Sequence, residues 1–566
     1  MTAPGGGDVA LGGSTMVVDD LTRRGPDARI DLTVAGAMTD VLRLLDEPPV
    51  SIFRQGTLTP DQIGQANAVM RAEIATRLIR QDGIGDTRFA VSGTLADFAS
   101  DTLIPGRSLT ADRLLVEASN DAVQVSGRAL FDGLPVTGRW GRDLGPGSDP
   151  TGRVEGRATV DRGTLSGLGI GLPNWLISGR GQADIVLTLP VGDTPQLRVS
   201  SDLSGLGLSL PPLGWRLGEA QTGVLEAEIR LGPDPAVTLL QIEGAGLTLN
   251  GQVSLLASGG FNRLSADSFR IGSWLNVSGA LVNRGGGRAP AVEISGGTVD
   301  LRGAPQTGPG AGTGPGGGGP ITAALDRLQV SQGIALTGLS AELTSDGGLS
   351  GQFAGRVNGL APVTGTLVAT DTGPAVRIRA EDGGAVMRAA NVFQTAFGGE
   401  MELILRATGD EGNYDGTLSI DGPRLRDAPA MAELLNLISV VGLLEQLGGE
   451  GINLGDVDAR FRLTPTRLVL QEGTAVGPAL GVSMDGVYGL ADSQLDMQGV
   501  ISPLYMVNGL IGAIFSPRRE GLFGFSYRLT GTAQNTQVTV NPLSILTPGI
   551  FRDIFRRPPP DLSDTQ

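Results

Sequence analysis

The feature that most constrains this chain is a two-residue hydrophobic period that recurs from near Asp31 to Val540. Leu225, Ala227, Ile229 and Leu231 alternate with Glu226, Glu228 and Arg230, and Val154, Gly156, Ala158 and Val160 alternate with Glu155, Arg157 and Thr159. Val457, Ala459, Phe461 and Leu463 do the same against Asp456, Asp458, Arg460 and Arg462. Successive side chains of a strand point to opposite faces, so the pattern describes strands buried on one side. A long series of such strands must close its apolar face against something. The options are paired sheets, a solenoid, a barrel, or an incompletely closed curved sheet that holds an apolar ligand.

Turn residues divide the chain into short, evenly spaced strand candidates, among them Arg88 to Leu95, Ala122 to Phe131, Gln182 to Leu189 and Leu247 to Leu256. Leu109 to Trp140 and Leu264 to Val282 both place L-[ST]-A-D before a strand and VSG followed by AL in the next, a weak repeat of a hairpin unit. Residues 302–320, RGAPQTGPGAGTGPGGGGP, carry almost no apolar side chain and read as a linker or loop. The expected organisation is a repetitive β-rich domain over 1–301, that linker, a second β-rich region with capping helices over 321–557, and a tail over 558–566.

Few helices are expected. Thr39 to Leu45 reads as one, and Thr59 with Pro60 opens another through Ile79. Ala385 to Phe397 is a third. Asp427 is expected to cap a helix whose apolar face carries Met431, Leu434, Leu435, Ile438, Val441, Leu444 and Leu447. Two more follow Pro503 and Pro548. The last sets Ile550, Phe551, Ile554 and Phe555 beside Arg552, Arg556 and Arg557, which suits either a plug at the end of a sheet or a short interfacial helix.

Composition removes whole chemistries. The chain has no cysteine and no histidine, and every one of its 43 basic residues is arginine. A thiolate nucleophile, a histidine-based triad, a Cys/His zinc site and a Schiff-base lysine are therefore excluded. A net charge of −16 argues against nucleic acid, which is held by a basic stripe. Gly312 to Gly319 lacks the Lys-Ser/Thr ending of a phosphate loop, and Asp410, Asn413 and Asp415 have the wrong spacing for a calcium loop. No catalytic, cofactor or metal site is expected. What remains is a surface rather than a site: the inward Val, Leu, Ile, Ala and Gly positions suit either a channel for acyl chains or an ordinary core.

From Gly351 to Arg557 the order of segments becomes specific: SGQFAGRVNGLAPVTGTL, EDGGAVMRAANVFQTAFGGEMELIL, YDGTLSIDGPRLRDAPAMAELLNLISVVGLL, ARFRLTPTRLVLQEGTAVGPALGVSMDGVYGL, DMQGVISPLYMVNGLIG and VTVNPLSILTPGIFRDIFR. This succession resembles the AsmA-like C-terminal region of large proteobacterial envelope proteins, in the YhdP-like and TamB-like branches. The resemblance implies a mainly β fold, a long, curved antiparallel sheet forming an elongated groove, with a few short helices mostly near the C-terminus. It also implies a non-enzymatic role in moving or shielding phospholipid acyl chains between inner and outer membranes, with phospholipids and a membrane surface or envelope proteins as partners. Under it the protein is periplasmic, and an inner-membrane anchor helix is expected upstream of Met1.

The groove lining expected on this reading is Val154, Ala158, Val160, Ala227, Ile229, Leu231, Ile378, Leu403, Leu405, Ala459, Phe461 and Leu463. Expected caps or membrane contacts are Leu435, Ile438, Leu510, Ile514, Phe551, Ile554 and Phe555, with Arg552 and Arg556. The alternative is a periplasmic scaffold or outer-membrane assembly factor that docks partners at sheet edges and carries no lipid.

Overall fold

The computed structural model describes residues 7–46, 59–78, 87–103, 107–144, 147–149, 151–167, 170, 172–232, 234–256, 260–305, 318–410, 412–438, 440–490, 492–503, 524–532, 535–546, 557–558 and 560. The protein is mainly β. Its strands form open sheets not closed into a barrel, and its helices are few and short. Two compact units divide it, Met1–Ile271 and Gly272–Gln566. The Gly/Pro-rich segment therefore lies inside the second unit.

In the first unit the chain runs as an antiparallel meander in which each strand pairs with its predecessor, from Thr15–Val18 and Asp27–Ala37 through Gln65–Arg77, Arg88–Ser100, Leu109–Ser119, Ala122–Phe131 and Leu134–Asp143. It continues through Gly152–Asp161, Ile177–Leu189, Gln196–Ser201, Val224–Arg230, Ala236–Gly244, Leu247–Leu255 and Phe261–Ile271. One excursion interrupts it. Leu206–Leu210 pairs with the start of Ile177–Leu189 and with Trp215–Leu217, and Leu203, Trp215 and Leu217 are buried there.

The stretch expected to be helical after Pro60 is instead a single turn, Pro60–Ile63, followed by the strand Gln65–Arg77. Ala, Met, Arg and Glu favour helix individually, but Ala66, Ala68, Met70, Ala72 and Ile74 keep a period of two. Pairing on both sides decides the outcome, with Val34 opposite Met70 and Met70 opposite Gly93. The helix Met38–Asp46 forms as expected and sets Met38 and Val41 into a core with Val34, Ala68 and Leu95.

The second unit is also a meander, with one exception. Ala291–Asp300 and Pro320–Gln329 are parallel, Val292 opposite Ile321 and Val299 opposite Leu328. A parallel neighbour cannot be reached by a tight turn, so this pair breaks the meander. The sheet is thus mixed rather than purely antiparallel. From Pro320–Gln329 it proceeds antiparallel through Ala335–Thr344, Ser350–Val357, Ala361–Thr370, Gly373–Ala380, Glu400–Ala407 and Tyr414–Asp421. Asp456–Leu463, Arg467–Val476, Leu480–Gly489, Gln494–Pro503, Phe525–Thr532 and Asn535–Asn541 complete it.

Helices in the second unit close parts of the apolar face. Gly383–Ala389, capped by the Asp382 carboxylate accepting from the Ala385 N–H at 2.7 Å, is shorter than expected because the chain turns back into Ala396–Phe397. Val386 and Ala389 pack there with Met401 and Ile420. The long helix expected from Asp427 is two helices, Pro429–Leu437 and Val441–Gly448. Asp427 is not the cap. Its backbone is left-handed, with φ near 46°, and the first helix starts from Ala428 with Pro429 in its opening position. Leu434, Leu435, Ile438, Leu443 and Leu447 from this pair bury against Leu480, Ile501 and Tyr527 of the sheet. Among the described residues no helix is long and apolar enough to cross a membrane.

Candidate functional site

Strand register converts the alternation into continuous rows. In the first unit, a row starts at Val34 and passes through Met70, Gly93, Val116, Val125 and Trp140, each directly opposite the next. It goes on through Val154, Leu187, Leu197 and Ile229, then Val237, Val253 and Leu264. Thirteen strands contribute, and no member carries a charge. Only Val34, beneath the N-terminal helix, is buried; the others are half-buried. The row thus emerges from under a helix onto an apolar surface that its own unit leaves partly uncovered.

The second unit repeats the arrangement. Ile294 stands opposite Ala323, and the row continues through Ala341, Phe353, Gly365, Ile378 and Leu403. Leu418, Ala459, Gly473, Met484, Gly499, Tyr527 and Val540 follow. Two residues along each strand a parallel row includes Leu367, Val376, Leu405, Gly416, Phe461 and Leu470. Both end under the helices Pro429–Leu437 and Val441–Gly448, whose leucines cover Met484, Tyr527 and Val540.

At four places across these rows a large residue is set beside a glycine for a packing reason. The Phe461 ring lies over Gly416 on the neighbouring strand, where an added Cβ would stand 2.3 Å from its edge, and Phe353 lies over Gly365 in the same way at 2.2 Å. Met70 covers Gly93, and Tyr527 covers Gly499 while its hydroxyl donates to the Ser483 carbonyl at 2.8 Å. Glycine in a strand is weak by itself; a ring laid across it restores contact and keeps the face smooth. Bulges at Asn250/Gly251 and Ser278/Gly279 put further glycines on this face, and such bulges bend a sheet.

The opposite face carries the charge. Arg139 pairs across strands with Glu155 at 3.1 Å, Arg157 with Asp184 at 2.8 Å, and Arg198 with Glu228. In the second unit Arg377 and Arg379 converge on Glu402, Arg462 on Asp415 at 2.8 Å, and Arg528 on Asp496 at 3.0 Å. Hydrogen bonds from Arg377 and then Arg379 hold the Glu402 carboxyl below its ordinary range. Arg557 and then Arg528 lower that of Asp496 to about 2. Depressions of about 670 Å³, lined by Ala341, Phe353, Thr366, Arg377 and Arg379 among others, and about 390 Å³, lined by Arg71, Val91 and Glu117 among others, draw on both charged and apolar residues.

The expected lining residues are brought together within each unit. Val154 and Ile229 belong to the first row, while Ala227 and Ala158, both buried, share its face through Ile185 and Ala183. Val160 follows on the same strand and face, opposite Gly181. Leu231 lies one step beyond its strand and donates its N–H to the Pro195 carbonyl. Ile378, Leu403 and Ala459 form one stretch of row in the second unit; Leu405 and Phe461 lie in the next, with Leu463 beyond. Leu435 and Ile438 are buried in the cap. Leu510, Ile514, Phe551, Arg552, Ile554, Phe555 and Arg556 lie outside the described residues.

Alternation alone did not single out the glycines under the rings, nor Arg142, which shares the apolar face with Trp140. The available signal was a glycine at mid-strand with an aromatic residue at mid-strand in the next. No family model matches the chain, and neither a curated protein nor a solved structure matches it.

Proposed function

We propose that the apolar face of each unit binds phospholipid acyl chains, and that the protein is a non-enzymatic carrier or shield for phospholipid in the cell envelope. One observation carries the reading: uncharged rows cross thirteen strands in one unit and fourteen in the other, half-buried along most of their length, while the ion pairs stand on the opposite face. At about 4.8 Å per strand, a row through fourteen strands runs on the order of 60 Å, longer than one acyl chain. Each methylene laid against it contributes about 0.8 kcal/mol. Because the rows are uncharged, with Met70, Trp140, Phe353, Met484 and Tyr527 among mostly Val, Leu, Ile, Ala and Gly, no member holds a chain by charge and a chain can slide.

The resemblance to AsmA-like envelope proteins supports a periplasmic setting and phospholipid as cargo. The test is extraction of the purified full chain and mass spectrometry of what it carries. Phospholipid in near-stoichiometric amount supports the reading. A chain purified without detergent that carries no lipid and captures none from vesicles supports the scaffold instead, with partner strands added at a sheet edge.

A further inference from the structure

On the strand Leu134–Asp143, Trp140 stands opposite Val125 and Arg142 opposite Val123, so both side chains belong to the apolar face. Arg142 thereby ends a row that runs through Leu32, Ala72, Val91, Ala118 and Val123. The arginines of the ion pairs described above have carboxylate partners; the Nε of Arg142 is buried and makes no hydrogen bond among the described residues. Beside it, the Trp140 indole nitrogen lies against Gly152, 3.2 Å from where a Cβ would stand. An Nε–H held against hydrocarbon without a partner is costly, and a turn of the long side chain that brings the guanidinium to an anion relieves it.

We propose that Arg142 and Trp140 form a headgroup site for the phosphodiester of a phospholipid whose acyl chains lie along Val125, Val154 and Leu187. The inference rests on the acyl-binding reading of this face and deepens it. Guanidinium presents a planar fork that matches two phosphate oxygens, and the indole N–H is a second donor on a ring that is otherwise apolar. The charge and the hydrocarbon surface are adjacent here as they are in the ligand.

The full chain, stripped of lipid, is incubated with radiolabelled dioleoyl phosphatidylglycerol or with dioleoylglycerol, which has the same acyl chains and no phosphate. Arg142→Gln is expected to weaken phosphatidylglycerol binding roughly tenfold or more, as loss of a charge-assisted contact does, and to leave dioleoylglycerol binding unchanged. Arg142→Lys, which keeps the charge without the fork, and Trp140→Phe, which keeps the ring without the donor, should each give a smaller loss confined to phosphatidylglycerol. Equal loss for both lipids, or no loss for either, overturns the headgroup site and leaves acyl binding standing. Full displacement of phosphatidylglycerol by inorganic phosphate at equal concentration assigns the site to free phosphate and also overturns it. A wild-type chain that binds neither lipid removes the acyl reading and this inference with it.

Discussion

Phe461 and Gly416 face each other across two paired strands, and the ring of one occupies the space that a side chain on the other would fill. The relationship is reciprocal. Glycine leaves the backbone bare, and the phenyl edge covers it, so the apolar face stays both closed to water and low in relief at that point.

A Cβ at position 416 would stand 2.3 Å from the ring. Gly416→Ala is therefore expected to push Phe461 off its rotamer and to destabilise the second unit by about 1–3 kcal/mol. In a Phe461→Ala background the same change should cost far less. Denaturant unfolding of the two single variants and the double variant measures this coupling, which should be at least about 1 kcal/mol. Additive losses would mean that the ring and the glycine do not depend on each other.

The helix pair over the end of the second sheet offers a sharper contrast. Leu435 is fully buried against the sheet, whereas Leu437, two residues on, is 53% exposed. Leu435→Ala should cost about 2–5 kcal/mol by emptying a packed position. Leu437→Ala should fall within about 0.5 kcal/mol of wild type. Thermal melts of both variants check this; equal effects would show that the helices do not sit on the sheet as described.

Much of this fold was legible because one face of each strand is apolar, and a period of two survives any uncertainty about strand ends. Val154, Ile229, Ile378 and Phe461 were identifiable for that reason alone. The strand after Pro60 was not, because Ala66 to Arg77 is built from helix-favouring residues and only pairing on both sides makes it a strand. Asp427 failed as a cap since its own backbone turns left-handed. The parallel pair at Val292 and Ile321 was invisible, because hydrophobic alternation carries no sign of the direction of the neighbouring strand. Arg142 was hidden by its type: an arginine near a strand end reads as solvated until register shows which face it shares.

Asp496 makes a pH-dependent contribution whose sign is fixed by its partners. Hydrogen bonds from Arg557 and Arg528 lower its pKa from 3.8 to about 2, so the folded chain favours the carboxylate. The stabilisation is complete above about pH 4 and is lost as the pH falls through 2. The carboxylate is 43% exposed, which limits the contribution to about 1 kcal/mol or less. Comparing melts of wild type and Asp496→Asn from pH 6 downward, the difference should be constant to about pH 4 and then shrink. A difference that grows on acidification would contradict the pairing.

Ile229 and Glu228 are neighbours in sequence on opposite faces, so they separate the role of the apolar face from the stability of the sheet. Ile229 lies in the row between Leu197 and Val237, while Glu228 pairs with Arg198 on the charged side. Ile229→Asp puts a carboxylate where acyl methylenes would lie, each worth about 0.8 kcal/mol, and displacing two of them already lowers affinity by roughly tenfold. Glu228→Arg removes a surface ion pair, costs about 1 kcal/mol or less, and should leave lipid capture unchanged. Capture of dioleoyl phosphatidylglycerol by the two purified variants, each checked for a wild-type circular dichroism spectrum, gives the answer. If the folded Ile229→Asp chain captures as much lipid as Glu228→Arg, the apolar row is not the surface on which acyl chains lie.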